Sequence, residues 1–283
     1  MKKLTANLLI ASTILGSIAA PIVKAEEGET QNPANKVDTT ANVQFTANGE
    51  GETKPVDPVE PGNPTDPTDP ENPGGQDGGK GALRIDWAPH FNFGKNEIKG
   101  GGDFVIPATH YVNRNGNPIH YFVQVSDLRG LDDANWKLDV SASALEKKET
   151  KEVDVENQLE GSQIKFTPGR ILNNGIPQPA YEENYNGVKF EKEQKIEFGT
   201  QQTLIDAKNI QNPQGTWSLA METNAEPYTD EESSEGSRTS DVTLTIPASQ
   251  VKKIRKDIYQ ATLKWELSYT VPSDTKGLLP VAK

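Results

Sequence analysis

A strict two-residue alternation near the C-terminus limits what this chain can fold into. In "YQATLKWELSYTVP", Tyr259 to Pro272, the odd positions from Ala261 to Val271 read Ala, Leu, Trp, Leu, Tyr, Val, and the even positions from Thr262 to Thr270 read Thr, Lys, Glu, Ser, Thr. Only a β-strand separates those two sets onto opposite faces. A related Trp-x-Leu step recurs in "NWKLDVSA" and in "GTWSLAM". From Leu83 onward, short alternating runs are separated by Gly, Pro, Asn and Asp. In "LRIDWAP", Leu83, Ile85 and Trp87 are expected on one face, and "SDVTLTIPA" alternates Val242, Leu244 and Ile246. "DFVIPATHYV" and "PIHYFVQVSD" flank an Asn115-Gly116 step suited to a hairpin turn. "SQIKFTP" and "VKFEKEQKIEF" are polar-rich strands, and the segment from Ser249 to Asp257 is the one helical turn expected. The fold class is therefore all-β, a sandwich or barrel-like domain of mostly antiparallel short strands.

The 283 residues divide by composition. Residues 1–25 carry Lys2 and Lys3, an apolar run from Leu8 to Ala20 and the small-residue end "VKA", the pattern of a secretory signal peptide with a cut after Ala25. Residues 26–50 are polar, with one short β-like run in which Val43 and Phe45 alternate with Asn42 and Gln44. That run is either part of a solvated tail or a strand returning to cover an edge of the main sheet. Residues 51–81 form a stretch rich in Pro, Asp and Gly. Lys54 to Pro73 favours extended polyproline geometry reaching about 60 Å, and Gly74 to Gly81 is expected to be flexible. Residues 82–283 form the main β domain. "DTKGLLPVAK" has no hydrophobic tail, so if the protein stays at a cell surface it is expected to be held there noncovalently.

Charge and composition exclude several function classes. Net charge is −12, and loss of Lys2, Lys3 and Lys24 with the signal makes the remainder three charges more negative. Nucleic acid is not an expected partner, because it calls for a basic surface. Anionic lipid and teichoic acids are repelled by the bulk charge. No run beyond the leader is long and apolar enough for direct membrane insertion. There are no cysteines, so disulfides cannot staple this secreted chain.

No enzymatic activity and no cofactor are expected. His90, His110 and His120 lack metal-ligand spacing, and there is no GxSxG nucleophile elbow. Paired acids occur in "DDAN" and in the loop from Thr229 to Asp241, where a solvated charge run explains them better than glycoside hydrolysis. Each Trp-x-Leu pair has two possible uses, as core between sheets or as an exposed aromatic platform, and periodicity favours the core, because Trp265 shares its face with Leu263, Tyr269 and Val271. Trp217 and Leu219 are read as core.

Taken together, these blocks resemble the WxL-domain surface proteins of low-GC Gram-positive bacteria. "YQATLKWELSYTVP" matches that family's C-terminal signature at Tyr259, Leu263, Trp265, Leu267 and Pro272, with Lys264 replacing the usual Thr. "NWKLDVSAS" matches its distal signature. "HYFVQVSDLRG", "LRIDWAPHFNFG" and the Pro/Asp-rich leader resemble further blocks in the same order. The resemblance implies a secreted protein held noncovalently on the cell wall by peptidoglycan. It also implies companion WxL proteins and a membrane-anchored partner in a surface complex, with adhesion to host matrix proteins in some members. On that basis Trp136, Leu138, Trp265 and Leu267 are the candidate wall- or partner-binding residues, acting by contact or by shaping the surface. A domain that binds a partner surface protein or host matrix protein, rather than the wall, is the alternative.

Overall fold

The computed structural model describes residues 40–47, 55–58, 75–112, 118–133, 135–148, 157–167, 170–173, 184–185, 188–189, 194–208, 214–222 and 238–270. The leader from Met1 to Ala25, the Asn115-Gly116 turn and residues 229–237 of the acidic loop lie outside them. The chain divides into a short unit, Met1–Gln44, and a large one, Phe45–Lys283. The described part of the short unit, residues 40–44, is exposed and carries no strand. All the strands described belong to the large unit.

They are numbered in chain order. One sheet runs β1 (Gly75–Asp77), β2 (Leu83–Pro89), β6 (Phe122–Asp127), β15 (Gly215–Ala220) and β10 (Arg170–Asn173). A second runs β13 (Gln194–Glu197), β9 (Gln163–Phe166), β16 (Arg238–Ile246) and β3 (Phe104–Thr109). A third contains β14 (Gln201–Asp206), β7 (Trp136–Ala142) and β18 (Leu263–Tyr269). Three two-stranded pairs complete the set: β4 (Tyr111–Val112) with β5 (Pro118–Ile119), β8 (Glu146–Lys147) with β17 (Tyr259–Gln260), and β11 (Asn184–Tyr185) with β12 (Val188–Lys189). The single helix described, α1 (Ala248–Val251), falls in the turn expected there. Every pairing is antiparallel, in keeping with an all-β sandwich.

The five-stranded and three-stranded sheets meet through tryptophans. Trp217 of β15 and Trp136 of β7 pack edge to face with ring centroids 6.5 Å apart. Val123, Val125 and Leu219 share the face of Trp217, because β15 and β6 pair Trp217 with Val125 and Leu219 with Val123. Ile164, Phe166, Ile196 and Val242 of the second sheet close the same core. A smaller cluster of Phe104, Ile106, Leu145, Leu159, Leu244, Ile246 and Val251 extends it. The expected core position of Trp217 and Leu219 is observed; both are fully buried.

Three expectations are corrected by the structure. A bulge between Ile85 and Trp87 shifts the register of β2 against β6. Trp87 therefore leaves the face of Leu83 and Ile85 and stacks on Phe122, 6.2 Å between centroids. A bulged residue turns its neighbours over, which strict period-two counting does not anticipate. Only β4 and β5 form the hairpin expected around Asn115; β3 and β6 continue into different sheets.

The third correction is in the Pro/Gly-rich stretch, where Gly75–Asp77, expected to be flexible, forms a strand. Gly75–Asp77 pairs with Trp87–Pro89, and the Gly78 amide donates to the Asp86 carbonyl at 3.1 Å. A Cβ on Gly78 would lie 1.5 Å from the Ile85 carbonyl oxygen, so only glycine admits this approach. Pro55 and Pro58 are buried, and the Val56 amide donates to Gln124 Oε1 at 2.9 Å.

Gln124 belongs to a polar cluster on the face of the five-stranded sheet opposite Trp217. Arg84 Nε contacts Asp86 Oδ1 at 2.8 Å, and Asp86 Oδ2 accepts from Ser126 Oγ at 2.6 Å and from Gln124 Nε2 at 3.1 Å. Ser126 reaches Thr216 at 3.0 Å, and Ser218 donates to Gln124 at 3.3 Å. All six are buried. Burial pushes the Asp86 carboxyl above its ordinary range, opposed by hydrogen bonds from Ser126 and Gln124 and by Arg84.

Candidate functional site

The two Trp-x-Leu motifs lie side by side on one face of the three-stranded sheet. β18 pairs with β7 so that Trp265 faces Val140, Leu267 faces Leu138 and Tyr269 faces Trp136. Their environments differ. β7 is the central strand, so Trp136 is 1 % exposed and Leu138 0 %. Among the described strands β18 lies at the edge of its sheet, and Trp265 and Leu267 are partly buried, packed against the core from one side. Tyr269 is 56 % exposed.

The open side of β18 borders a groove of about 1400 Å³. Leu263, Trp265 and Leu267 form one wall, and Leu83 and Ile85 of β2 form part of the other. Phe91 and Phe93 from the segment after β2 add aromatic surface. That segment is fixed from beneath: Phe91 stacks on Tyr121 at 5.2 Å, Tyr121 Oη donates to the Thr109 carbonyl at 2.6 Å, and the Thr109 amide donates to Asn92 at 2.8 Å. Trp136 and Leu138 do not line the groove. Of the four candidate residues, the structure brings Trp265 and Leu267 to a surface and places Trp136 and Leu138 behind them as support.

The "FVQVSDLRG" block holds one end of β18. Asp127 binds Arg129 through two contacts, Nε to Oδ1 at 2.8 Å and Nη2 to Oδ2 at 2.7 Å. The Arg129 guanidinium then lies 5.1 Å from the Tyr269 ring. A planar cation clamped by a carboxylate and stacked on an aromatic is a geometry that lysine cannot reproduce. Gly130 follows with φ +69°, the left-handed conformation that glycine adopts without strain.

The outer face of the same sheet is polar and is tied by Asp139. Its carboxylate meets Lys137 Nζ at 2.8 Å, Thr203 Oγ1 at 2.6 Å and Gln201 Nε2 at 3.3 Å, linking β7 to β14. Burial acts to raise this carboxyl. The hydrogen bonds from Lys137 and Thr203, the Lys137 charge and Gln201 outweigh it and hold the carboxyl below its ordinary range. A folded value below the unfolded one of about 3.9 gives a contribution that is complete above that pH and lost as pH falls through the folded value. Asp139→Asn should therefore cost stability at pH 7 and flatten the acid limb of a stability–pH profile, measured by urea unfolding from pH 7 to pH 3.

The groove offers stacking surfaces, cations and an open strand edge. Asp257 is its one carboxylate among the described residues, whereas glycoside hydrolysis calls for two flanking the scissile bond. Among the described residues no group of three His, Cys, Asp or Glu side chains could hold a metal.

A family model described as "WxL domain surface cell wall-binding" matches residues 32–271. The chain belongs to the WxL-domain family. The match covers nearly the whole chain and takes in the Pro/Asp-rich leader as well as the β domain. No curated protein and no solved structure matches the chain. The WxL domain is a cell-wall-binding domain rather than an enzyme family, and it gives this protein a place at the cell surface.

Residue alternation alone does not reveal the second wall of the groove. Phe91 and Phe93 lie in a segment without regular structure, and Arg255 and Lys256 follow α1. The nearest sequence signal is the "APHFNFG" end of the opening block, where aromatic residues continue past the strand.

Proposed function

We propose that this protein is exported and held noncovalently on the wall by peptidoglycan, with the groove beside β18 as the contact surface. The observation that carries this reading is the division of labour between the two motifs. Trp265 and Leu267 line an open groove, whereas Trp136 and Leu138 are sealed behind them. An aromatic wall that is partly desolvated before binding can stack on a ligand at low ordering cost. The basic, then apolar, leader supports export.

The test is co-sedimentation of the purified chain with Gram-positive walls stripped of teichoic acid. Trp265→Ala should remain folded and lose at least about tenfold in wall affinity, from removal of one central aromatic contact. Trp265→Phe should retain most of it. A folded Trp265→Ala that sediments like wild type would show that the groove is not the wall contact.

A second reading has a partner protein adding a strand to β18, within a complex of companion WxL proteins and a membrane-anchored subunit or on a host matrix protein. Its support is the open edge of that strand, a standard site of β-augmentation. Under it, walls alone would not sediment the purified chain, and addition of the partner would.

A further inference from the structure

The groove is cationic in an anionic protein. The chain holds 41 Asp and Glu against 29 Lys and Arg. The groove lining reverses that balance: Lys80, Arg84, Lys95, Arg255, Lys256 and Lys264 contribute to it, against Asp257 alone among the described residues. Lys256 and Lys264 are exposed. Lys264 makes only a loose surface pair with Glu266 at 3.4 Å, which leaves its charge available to a ligand. Arg255 Nη1 donates to the Lys252 and Ile254 carbonyls at 2.8 and 3.1 Å, which fixes its guanidinium in place.

The edge of β18 adds a second constraint. The Thr262 carbonyl accepts from the Ser143 amide, and the Thr270 amide donates to the Asn135 carbonyl. In an antiparallel ladder, bonded and non-bonded positions alternate. The even-numbered residues of β18 therefore bond to β7. The N–H and C=O groups of Leu263, Trp265 and Leu267 point away from it, along the edge that no described strand covers. An alternating row of donors and acceptors is the complement of another peptide backbone. A glycan or a polyphosphate carries no such row.

Resting on the wall-binding reading, we infer that the groove takes an extended wall peptide bearing free carboxylates, and not the glycan or teichoic phosphate. The peptide backbone pairs with the outer edge of β18. Its side groups pack on Trp265 and Leu267, and its carboxylates meet Lys264, Lys256 and Arg255. The net negative charge of the protein does not prevent this. At physiological ionic strength charges are screened beyond about 8 Å, so the local cations dominate at contact.

The experiment is co-sedimentation of the full chain with three wall preparations: intact walls, walls stripped of teichoic acid, and stripped walls whose carboxyls are capped with glycinamide by carbodiimide coupling. Glycan strands freed of peptide by an amidase, which no longer sediment, are added as a soluble competitor. Binding should be equal or stronger on stripped walls and unaffected by the glycan competitor. It should fall at least about tenfold on capped walls, the scale of losing one or more charge-assisted contacts. The exposed double variant Lys256→Glu/Lys264→Glu should lose binding to the same degree on stripped walls, and the loss should shrink at high salt. Lys208→Glu, the same charge change outside the groove, should bind as wild type. Undiminished binding to capped walls, or competition by the peptide-free glycan, overturns the inference while the wall-binding reading stands. Loss of binding on removal of teichoic acid assigns the groove to phosphate and also overturns it. Salt-sensitive self-association without walls, abolished by the double variant, would make a second copy the occupant and overturn it. Failure of wild type to sediment with any wall removes the wall-binding reading itself.

Discussion

Trp136→Ala is expected to lower the free energy of unfolding by about 3–5 kcal/mol, the range for truncating a fully buried tryptophan. Trp136 is 1 % exposed, sits on the central strand of its sheet and meets Trp217 edge to face. Its removal leaves a cavity between two sheets whose backbones are held by ladders on both sides, so little collapse can fill it. Against a typical total of about 5–15 kcal/mol, the loss leaves about 0–12 kcal/mol, so a substantial fraction unfolds at 37 °C if the total lies at the low end of that range. Urea unfolding followed by circular dichroism should show a lower midpoint with an unchanged slope. Trp265→Ala should cost only about 1–2 kcal/mol, because the side chain buries part of its surface. If Trp136→Ala proved the milder of the two, the assignment of one motif to the core and the other to the groove would be wrong. Loss of wall binding in Trp136→Ala should follow the unfolded fraction, whereas in Trp265→Ala it should appear in folded protein.

Arg84→Ala should cost a comparable amount, about 3–5 kcal/mol, because it leaves the Asp86 carboxylate buried without its counter-charge. Both side chains are almost completely inaccessible, and Asp86 is shared with Ser126 and Gln124. The folded carboxyl already lies above its unfolded value, and loss of Arg84 raises it further. A raised folded carboxyl costs stability above its pKa and returns that cost as pH falls towards the unfolded value of about 3.9. The defect in Arg84→Ala should therefore be largest at neutral pH and should shrink on mild acidification. Arg84→Met combined with Asp86→Asn should be less destabilised than the sum of the single changes, since neither partner is then left charged. Additive losses in that cycle would show that the two groups do not act as a pair. Because the Val56 amide bonds to Gln124 in the same cluster, the single variants should also expose the Pro55–Pro58 segment to proteolysis.

Much of the β architecture is legible in the sequence because alternation and burial share one cause: each strand shows one face to a core. β7, β15 and β18 carry clean alternation with large apolar side chains, and all three lie where the pattern places them. β14 escapes the pattern. Its register shifts between Thr203 and Ile205, so Leu204 and Ile205 are both buried and the period is lost. The bulge in β2 likewise sends Trp87 away from Leu83 and Ile85. β1 is only Gly75, Gln76 and Asp77, with no apolar side chain among them, so its pairing with β2 leaves no pattern to read.

Local residue patterns suffice for the all-β class, for the strands that carry the two Trp-x-Leu motifs and for the face each pair occupies. Those properties follow from local geometry, since residues i and i+2 always share a face of a strand. Strand packing is what makes one motif core and the other a groove wall. β7 is central and β18 is an edge, so the same side chains are sealed in one and open on one side in the other. Strand order depends on pairings between residues distant in the chain, and two motifs of the same Trp-x-Leu pattern carry no record of which of them ends up at the edge.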